Sequence, residues 1–430
     1  MPYKFHTRRV AFEPGLEDGR TFITEITVEE TVDTNSEDYQ CTISREAYSI
    51  HISNEGQVLI SIKHPQGAIR ALDTLAQLFY AHSKGKTDVY TPYAPVLIKD
   101  APKFDHRGLN LDISRNWIPP YDVLRTIEAM AFNKLNKLHI HASDAQSWPL
   151  EIPALPSLAK EGAYREDQIW SVGDLEEVQK HGLYHGVEVY LEIDLPGHTA
   201  SIHHSHPDLI TAYNKSWATY AVEPPAGQLK LNSPDVPPFL TTLLNDILPR
   251  SSAWSSHFHV GGDELNHEAY KLDPTVRSSS KEVIRPLLQK LMDHVLSLVK
   301  SNGLTPVIWE DMLMMWDLKL PVNTIVQTWR SSKSLADVVG RGHRALFGSF
   351  EEWYLDCGYG TFIDPDPANL DSPINHPFHD WCSPYKNWRQ ILSYDPLKDI
   401  PEDRQHLVVG GEVHLWGELT DSVNLVRCFP

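Results

Sequence analysis

From Arg107 onward the chain repeats one unit, a short apolar segment followed by a stretch with helical spacing. The apolar segments are residues 108–114 (GLNLDIS), 137–143 (KLHIHAS), 188–194 (EVYLEID), 257–264 (HFHVGGDE), 305–311 (TPVIWED), 324–329 (TIVQTW), 345–350 (ALFGSF) and 406–416 (HLVVGGEVHLW). The clearest helical stretch is 281–300, where Val283, Leu287, Leu291, Val295 and Leu298 recur on one face. Apolar strands separated by helices pair in parallel, with helices covering the sheet. Eight of them in roughly 310 residues predict a (β/α)₈ barrel. The rival is a doubly wound open sheet, which is weakened because no Gly-rich phosphate fingerprint follows the first strand.

Ahead of the barrel, residues 48–62 (YSIHISNEGQVLISI) alternate with period two around Asn54-Glu55-Gly56, a hairpin signal. Residues 67–80 then take helical spacing, with Ile69, Leu72, Leu75 and Leu78 on one face. Pro102 closes this part. The expected fold class is therefore α/β: a small α+β domain over residues 1–100, then a (β/α)₈ TIM barrel over 101–430.

Composition bounds the function. Of the 430 residues 41% are hydrophobic and 22% charged, enough apolar surface for a large core and too much for a disordered chain. A net charge of -19 repels phosphate backbones, so nucleic acid is excluded as a partner. No run approaches the roughly 20 apolar residues of a membrane span. The start, residues 1–10 (MPYKFHTRRV), has no apolar core of a secretory leader. Four cysteines, Cys41, Cys357, Cys382 and Cys428, are too few for a disulfide scaffold, and Cys357 and Cys382 are either one loop-closing bridge or two buried thiols. The 12 tryptophans lean towards carbohydrate, because an indole face stacks on the C–H face of a sugar ring.

In such a barrel the C-terminal strand ends share one mouth, where the reacting residues collect. Acids and tryptophans fall there: Asp112; His141, Ser143 and Asp144; Asp194 and His198; Asp263 and Glu264; Trp309, Glu310 and Asp311; Trp329; Trp353, Tyr354 and Asp356; Trp416 and Glu418. Arg107 begins the first strand. Adjacent Asp263-Glu264 after two glycines is the sharpest element, because two carboxyls held together separate into one protonated and one ionised group. Taken alone, such a pair is more often a solvated acidic surface. His141, Asp144, Asp194, His198, His259 and Asp263 can also be written as a divalent site, but the expectation is that no His-x-x-x-His or His-Glu-x-x-His helix pair supplies the usual ligand spacing. Neither a metal nor another cofactor is expected.

Residues 107–119 (RGLNLDISRNWIP), 136–152 (NKLHIHASDAQSWPLEI), 192–198 (EIDLPGH), 259–264 (HVGGDE), 353–356 (WYLD) and 410–418 (GGEVHLWGE) resemble the β-N-acetylhexosaminidases of glycoside hydrolase family twenty, the fungal ones in particular. The resemblance implies exo-acting, retaining removal of terminal β-linked N-acetylglucosamine or N-acetylgalactosamine, in which the substrate's own acetamido oxygen replaces a protein nucleophile; this family is a stated exception to the two-carboxylate rule. It implies Glu264 as general acid and base, Asp263 and Tyr354 as holders of the acetamido group, and Asp144 with His198 as the pair that positions Glu264. Trp309, Trp329 and Trp416 would wall the pocket, Arg107, Asp356 and Glu418 would bind sugar hydroxyls, and Asp194 would support the site from behind. The partners implied are N-acetylhexosamine-terminated oligosaccharides or glycoconjugates, with a homodimer left open. A Cys357–Cys382 disulfide and a secreted or vacuolar location follow from the same resemblance, and Asn214-Lys215-Ser216 offers a glycan acceptor.

Two departures stand against it. The family usually begins with a leader, and it continues after strand eight with a closing helix, whereas the chain reads as stopping there, at Val426–Pro430. A barrel truncated in this way is expected to be marginally stable, and the alternative function is a sugar-binding relative with little or no turnover.

Overall fold

The computed structural model describes residues 21–31, 45–83, 89–363 and 379–428. Residues 1–10 and Cys41, and the side chain of Cys428, lie outside this description. The chain divides into two compact units, Met1–Asp105 and His106–Pro430.

In the first unit, β1 (Glu25–Glu30), β2 (Tyr48–Ile52), β3 (Gln57–Ile62) and, after a short β4 (Tyr80–Ala81) and β5 (Val89–Tyr90) pair, β6 (Val96–Asp100) are the strands. They form a four-stranded sheet in the order β1-β3-β2-β6. The alternation of residues 48–62 does make the expected hairpin, pairing Ile50 with Ile60, and Gly56 takes the left-handed φ of +84° that its turn requires. Ile50, Ile52, Val58 and Ile60 pack on Ala71 and Leu75 of the helix Pro65–Gln77. That helix is rotated from the expected face: Leu72 is exposed, and Arg70 is buried instead, bonding Glu46 at 2.6 Å. Periodicity alone does not reveal an arginine that finds a buried carboxylate.

The second unit is a closed barrel of parallel strands. Its staves are β7 (His106–Asp112), β8 (Lys137–His141), β9 (Glu188–Glu192), β12 (His257–His259), β13 (Thr305–Trp309), β14 (Ile325–Gln327), β15 (Arg344–Phe347) and β16 (Val408–Leu415); β10 (Ile210–Thr211) and β11 (Gln228–Leu229) pair outside it. All eight expected strands are present. Most end a few residues earlier than the apolar pattern, because the polar residues that follow turn out into the mouth. The helix Lys281–Ser301 buries Ile284, Leu288, Leu291, Val295 and Val299; of the expected face Leu291 and Val295 are buried, Leu287 and Leu298 partly so, and Val283 is exposed. After β16 the chain enters a short helix, Ser422–Cys428, where the sequence reading placed none.

The barrel is filled by a polar cluster around two buried carboxylates. Glu412 accepts from Tyr190 (2.5 Å), His106 (2.6 Å), Gln327 (2.8 Å) and His139 (3.1 Å). Glu192 takes Trp309 Nε1 (2.7 Å) and His141 Nδ1 (2.5 Å). A Cβ on Gly108 would stand 2.6 Å from Glu412 Oε1, so glycine there makes room for the carboxylate. Buried charges are tolerated because every one is hydrogen-bonded.

This filling sets the stability profile. Burial lowers His106 to about 4 and His414 to about 3, whereas the Glu412 and Glu192 carboxylates overcome burial and raise His139 to about 9. The unfolded chain therefore holds protons that folded His106 and His414 lack between pH 6.5 and the folded values, and stability falls as pH drops through that window. His139 acts oppositely: its contribution is complete below pH 6.5 and is lost as pH rises through 9. Thermal melts across pH are thus expected to show a maximum near neutrality and a loss of order a few kcal/mol by pH 4. A melting temperature flat from pH 7 to 4 would contradict this account.

Candidate active site

Strand β12 leaves the barrel through Gly261 (φ +69°) and Gly262 (φ +108°), after which Glu264 also takes a left-handed φ of +51°. This backbone explains how two successive residues serve one pocket, since a regular strand would send Asp263 and Glu264 to opposite faces. A non-glycine residue held at positive φ costs of order 1–3 kcal/mol, which the surroundings must offset. Asp194, just past β9, does part of this: its Oδ1 accepts the Gly262 N–H at 2.9 Å. A Cβ at Gly261 would lie 1.8 Å from the same oxygen, so only glycine fits.

Asp194 and Asp263 are two acids in one buried site, and Asp194 Oδ2 and Asp263 Oδ1 have no hydrogen-bond partner among the described residues. Burial, then Asp194's charge, pushes Asp263 well above the usual carboxylate range, and burial raises Asp194 too. His198 reaches both acids, its Nε2 lying 3.3 Å from Glu264 Oε2 and 3.8 Å from Asp263 Oδ2. Its Nδ1 sits 3.0 Å from Asp144 Oδ1. Burial disfavours the charged imidazole, but Asp144, Asp263 and Asp194 outweigh it and hold His198 well above its ordinary pKa. Asp144 is opposed by burial too, yet Arg115 and His198 keep it well below the carboxylate range. Behind Asp144 the chain of contacts continues through His141 Nε2 (2.8 Å) to Glu192.

Arg115 is the cation of the mouth. Its guanidinium meets Glu223 (2.7 Å), Asp112 (3.0 Å), Asp144 (3.1 Å) and Glu418 (3.5 Å), and lies 5.1 Å over the Trp416 ring. Glu418 Oε2 is buried with no donor among the described residues. Burial lifts Glu418 well above its usual range, and lifts Asp356 to about 7. Asp311 rises to about 6 by burial while accepting from Trp329 Nε1 at 2.7 Å. Burial and the neighbouring carboxylates raise the Tyr354 phenol well above 10, so it remains a proton donor. Its ring stacks on His414 with centroids 4.9 Å apart.

Arg115, Asp263, Glu264, Tyr354, Asp356 and Glu418 line a cavity of about 580 Å³, walled by Trp329, Trp416 and, at the rim, Trp381. The Cys357–Cys382 disulfide, which closes a loop, packs in one buried cluster with Trp309, Trp329, Tyr354 and Trp416. Within that loop Asp380 gathers the Gly358 (2.6 Å) and Tyr359 (2.9 Å) N–H groups, fixing the turn beside Trp381.

The structure brings Asp144, His198, Asp263, Glu264, Trp329, Tyr354, Asp356, Trp416 and Glu418 to this mouth. Arg107 it does not. Arg107 lies at the opposite, entering end of β7, where its Nε donates to the Lys134 carbonyl at 2.9 Å, and Arg115 holds the place expected for it. A strand rises about 3.3 Å per residue, so a residue at its start is a barrel's height from the mouth. Trp309 is also displaced from the wall: it is buried below the cavity and donates to Glu192. Arg115, Glu223 and Trp381 were missed, and for Arg115 the signal was available, since it stands three residues past Asp112 at the strand's exit.

Comparison with known proteins agrees with this geometry. Residues 104–430 match the family model for the glycosyl hydrolase family 20 catalytic domain, and residues 1–78 match one described as beta-acetyl hexosaminidase like. A β-hexosaminidase of Arthroderma benhamiae is 48% identical over 99% of the chain and 71% of the relative. One from Emericella nidulans is 29% identical over 93% of the chain and 70% of the relative. The family 20 exo-β-N-acetylglucosaminidase of Vibrio harveyi, solved with N-acetylglucosamine, shares the fold with a TM-score of 0.74 at 21% identity, covering 94% of this chain and 64% of that one. The chain thus spans about two thirds of the length of these relatives. A family model covering most of the sequence, together with a relative nearly half identical over almost all of it, places the chain in glycosyl hydrolase family 20, a family of glycosidases that includes the β-hexosaminidases.

Proposed function

We propose that the chain is an exo-β-N-acetylhexosaminidase working by substrate-assisted catalysis with retention. The observation that carries this is the turn after β12, which aims Asp263 and Glu264 into one cavity with His198 within 3.8 Å of both. Glu264 gives its proton to the glycosidic oxygen as the C1–O bond breaks. The acetamido oxygen of the same sugar attacks C1 and closes a cationic oxazolinium ring. Asp263 accepts the acetamido N–H and faces the positive charge, whose appearance favours its ionised form against the burial that raises its pKa. Tyr354 donates to the acetamido oxygen and aligns it. Glu264 then takes a proton from water, which attacks C1, opens the ring and restores the original anomeric configuration.

Arg115, rather than Arg107, takes the sugar-hydroxyl role, together with Glu418 and Asp356. The unpartnered Glu418 Oε2 supports this, since a buried acceptor without a donor favours a ligand hydroxyl. Trp329 and Trp416 supply the apolar walls. The site is closed below by Trp309 and open at Trp381, which suits a terminal sugar of an oligosaccharide or glycoconjugate. The alternative, a sugar binder disabled by truncation, has no support in a barrel whose eight strands close and whose eighth is followed by a helix. Location outside the cell or in the vacuole accords with the disulfide and with the exposed Asn214-Lys215-Ser216 acceptor. Among the described residues no helix is long and apolar enough to cross a membrane.

The test compares an aryl N-acetyl-β-glucosaminide with the aryl β-glucoside that has a hydroxyl in place of the acetamide. The glucoside is expected to react at least about 10²-fold more slowly, the scale of losing a positioned stabilising group. Equal rates would remove the substrate-assisted scheme.

A further inference from the structure

The metal-ligand spacing absent from the mouth occurs on the barrel's outside. His181-Gly-Leu-Tyr-His185 is a His-x-x-x-His sequence, which corrects the expectation that no such pair occurs. It closes the helix Val172–Tyr184, with His181 in the last turn and His185 as the C-terminal cap. Four-residue spacing puts both imidazoles on one side, and their ring centroids are 4.5 Å apart. Gly182, between them, seats the turn against the following chain, where a Cβ would come within 2.5 Å of the Val187 carbonyl.

The helix Pro120–Phe132 presents Glu128 beside this pair, its Oε1 3.5 Å from His181 Nε2. That nitrogen is buried and makes no hydrogen bond. The three ligand atoms lie within 4.8 Å of one another. Two ligands held about 2.0–2.1 Å from a tetrahedral zinc ion are about 3.3 Å apart. The Glu128–His181 gap is therefore that of two atoms facing each other across a cation, and too long for a well-formed N–H···O bond. The unpaired carbonyls at a helix C-terminus add negative potential at the same place. Other His-carboxylate groups meet the same distance limit inside the barrel, but their atoms are already bonded to each other and to Trp309.

We propose that Glu128, His181 and His185 form a surface site for a divalent transition metal of the zinc type, with water completing the coordination. The helix Val172–Tyr184 ends where β9 begins, so the site lies at the barrel end opposite the mouth, where residues serve stability and not chemistry. A bound ion would clip two outer helices together. It is independent of the glycosidase reading, and hydrolysis should be the same with zinc or with a chelator.

The full chain, stripped with a chelator, is titrated with zinc alone at pH 7.5 against a chromophoric competitor, beside Glu128→Ala and the double variant His181→Ala, His185→Ala. The wild-type chain should bind one ion with a dissociation constant of micromolar order, Glu128→Ala roughly tenfold more weakly and the double variant at least about 100-fold more weakly. Zinc should raise the melting temperature of the wild type by a few degrees and leave the double variant unmoved. All three side chains are at least partly exposed, so matching melts without zinc establish that the variants fold. Failure of the wild type to bind at about 100 µM zinc, or undiminished binding by the double variant, overturns the proposal.

Discussion

Glu264→Gln is expected to lower kcat/KM on an aryl N-acetyl-β-glucosaminide by about 10²–10⁴-fold, the usual worth of a positioned general acid and base. KM should move little, because the glutamine keeps the shape and polarity of the site and only the proton transfer is lost. The chain Asp144–His198–Glu264, with contacts of 3.0 and 3.3 Å, holds that side chain where the leaving oxygen would lie. The variant should melt where the parent does, since residue 264 is not in the buried core of the barrel. Initial rates of the purified variant decide the matter, and retention of more than about a tenth of the parent rate would remove Glu264 from the acid role.

Arg115→Ala should damage both fold and function. Four carboxylates, on Asp112, Asp144, Glu223 and Glu418, lie within 3.5 Å of this one guanidinium. Breaking a buried ion pair by removing one partner costs about 3–5 kcal/mol. The melting temperature should fall accordingly, and KM should rise as Glu418, no longer held, repels its neighbours. Arg107→Ala is the control: its guanidinium donates to a backbone carbonyl at the far end of β7 and lines no part of the cavity, so activity should stay within about twofold. If Arg107→Ala raises KM and Arg115→Ala does not, the assignment is reversed.

Some of this was legible in the residues and some was not. The eight strand segments and their helical spacers showed the barrel because short apolar-rich segments recur along the chain with helical spacing between them, even though their inward residues include histidines and carboxylates. The period-two segments on either side of Asn54-Glu55-Gly56 showed the hairpin because burial of one face alone leaves alternation. The helix faces at Leu72 and Val283 came out shifted, since a moment of periodicity points to a side of a helix only to within a residue or so, and the neighbour decides the rest. Arg107 was misplaced because the segment containing it holds two arginines, and only their distance along the strand separates one end of the barrel from the other.

By itself the amino-acid order determined the architecture, the presence of a carboxylate pair after a glycine step, and the type of side chain gathered at the strand ends. Those are local matters of pattern, period and spacing. Only the tertiary structure decided which arginine lines the pocket, that Trp309 lies beneath it, that Asp194 and Asp263 meet in one buried site, and that burial lowers His106 whereas Glu412 and Glu192 overcome burial and raise His139. Each of these depends on distance and exclusion of water between residues far apart in the chain, and electrostatic energies vary with both while sequence records neither.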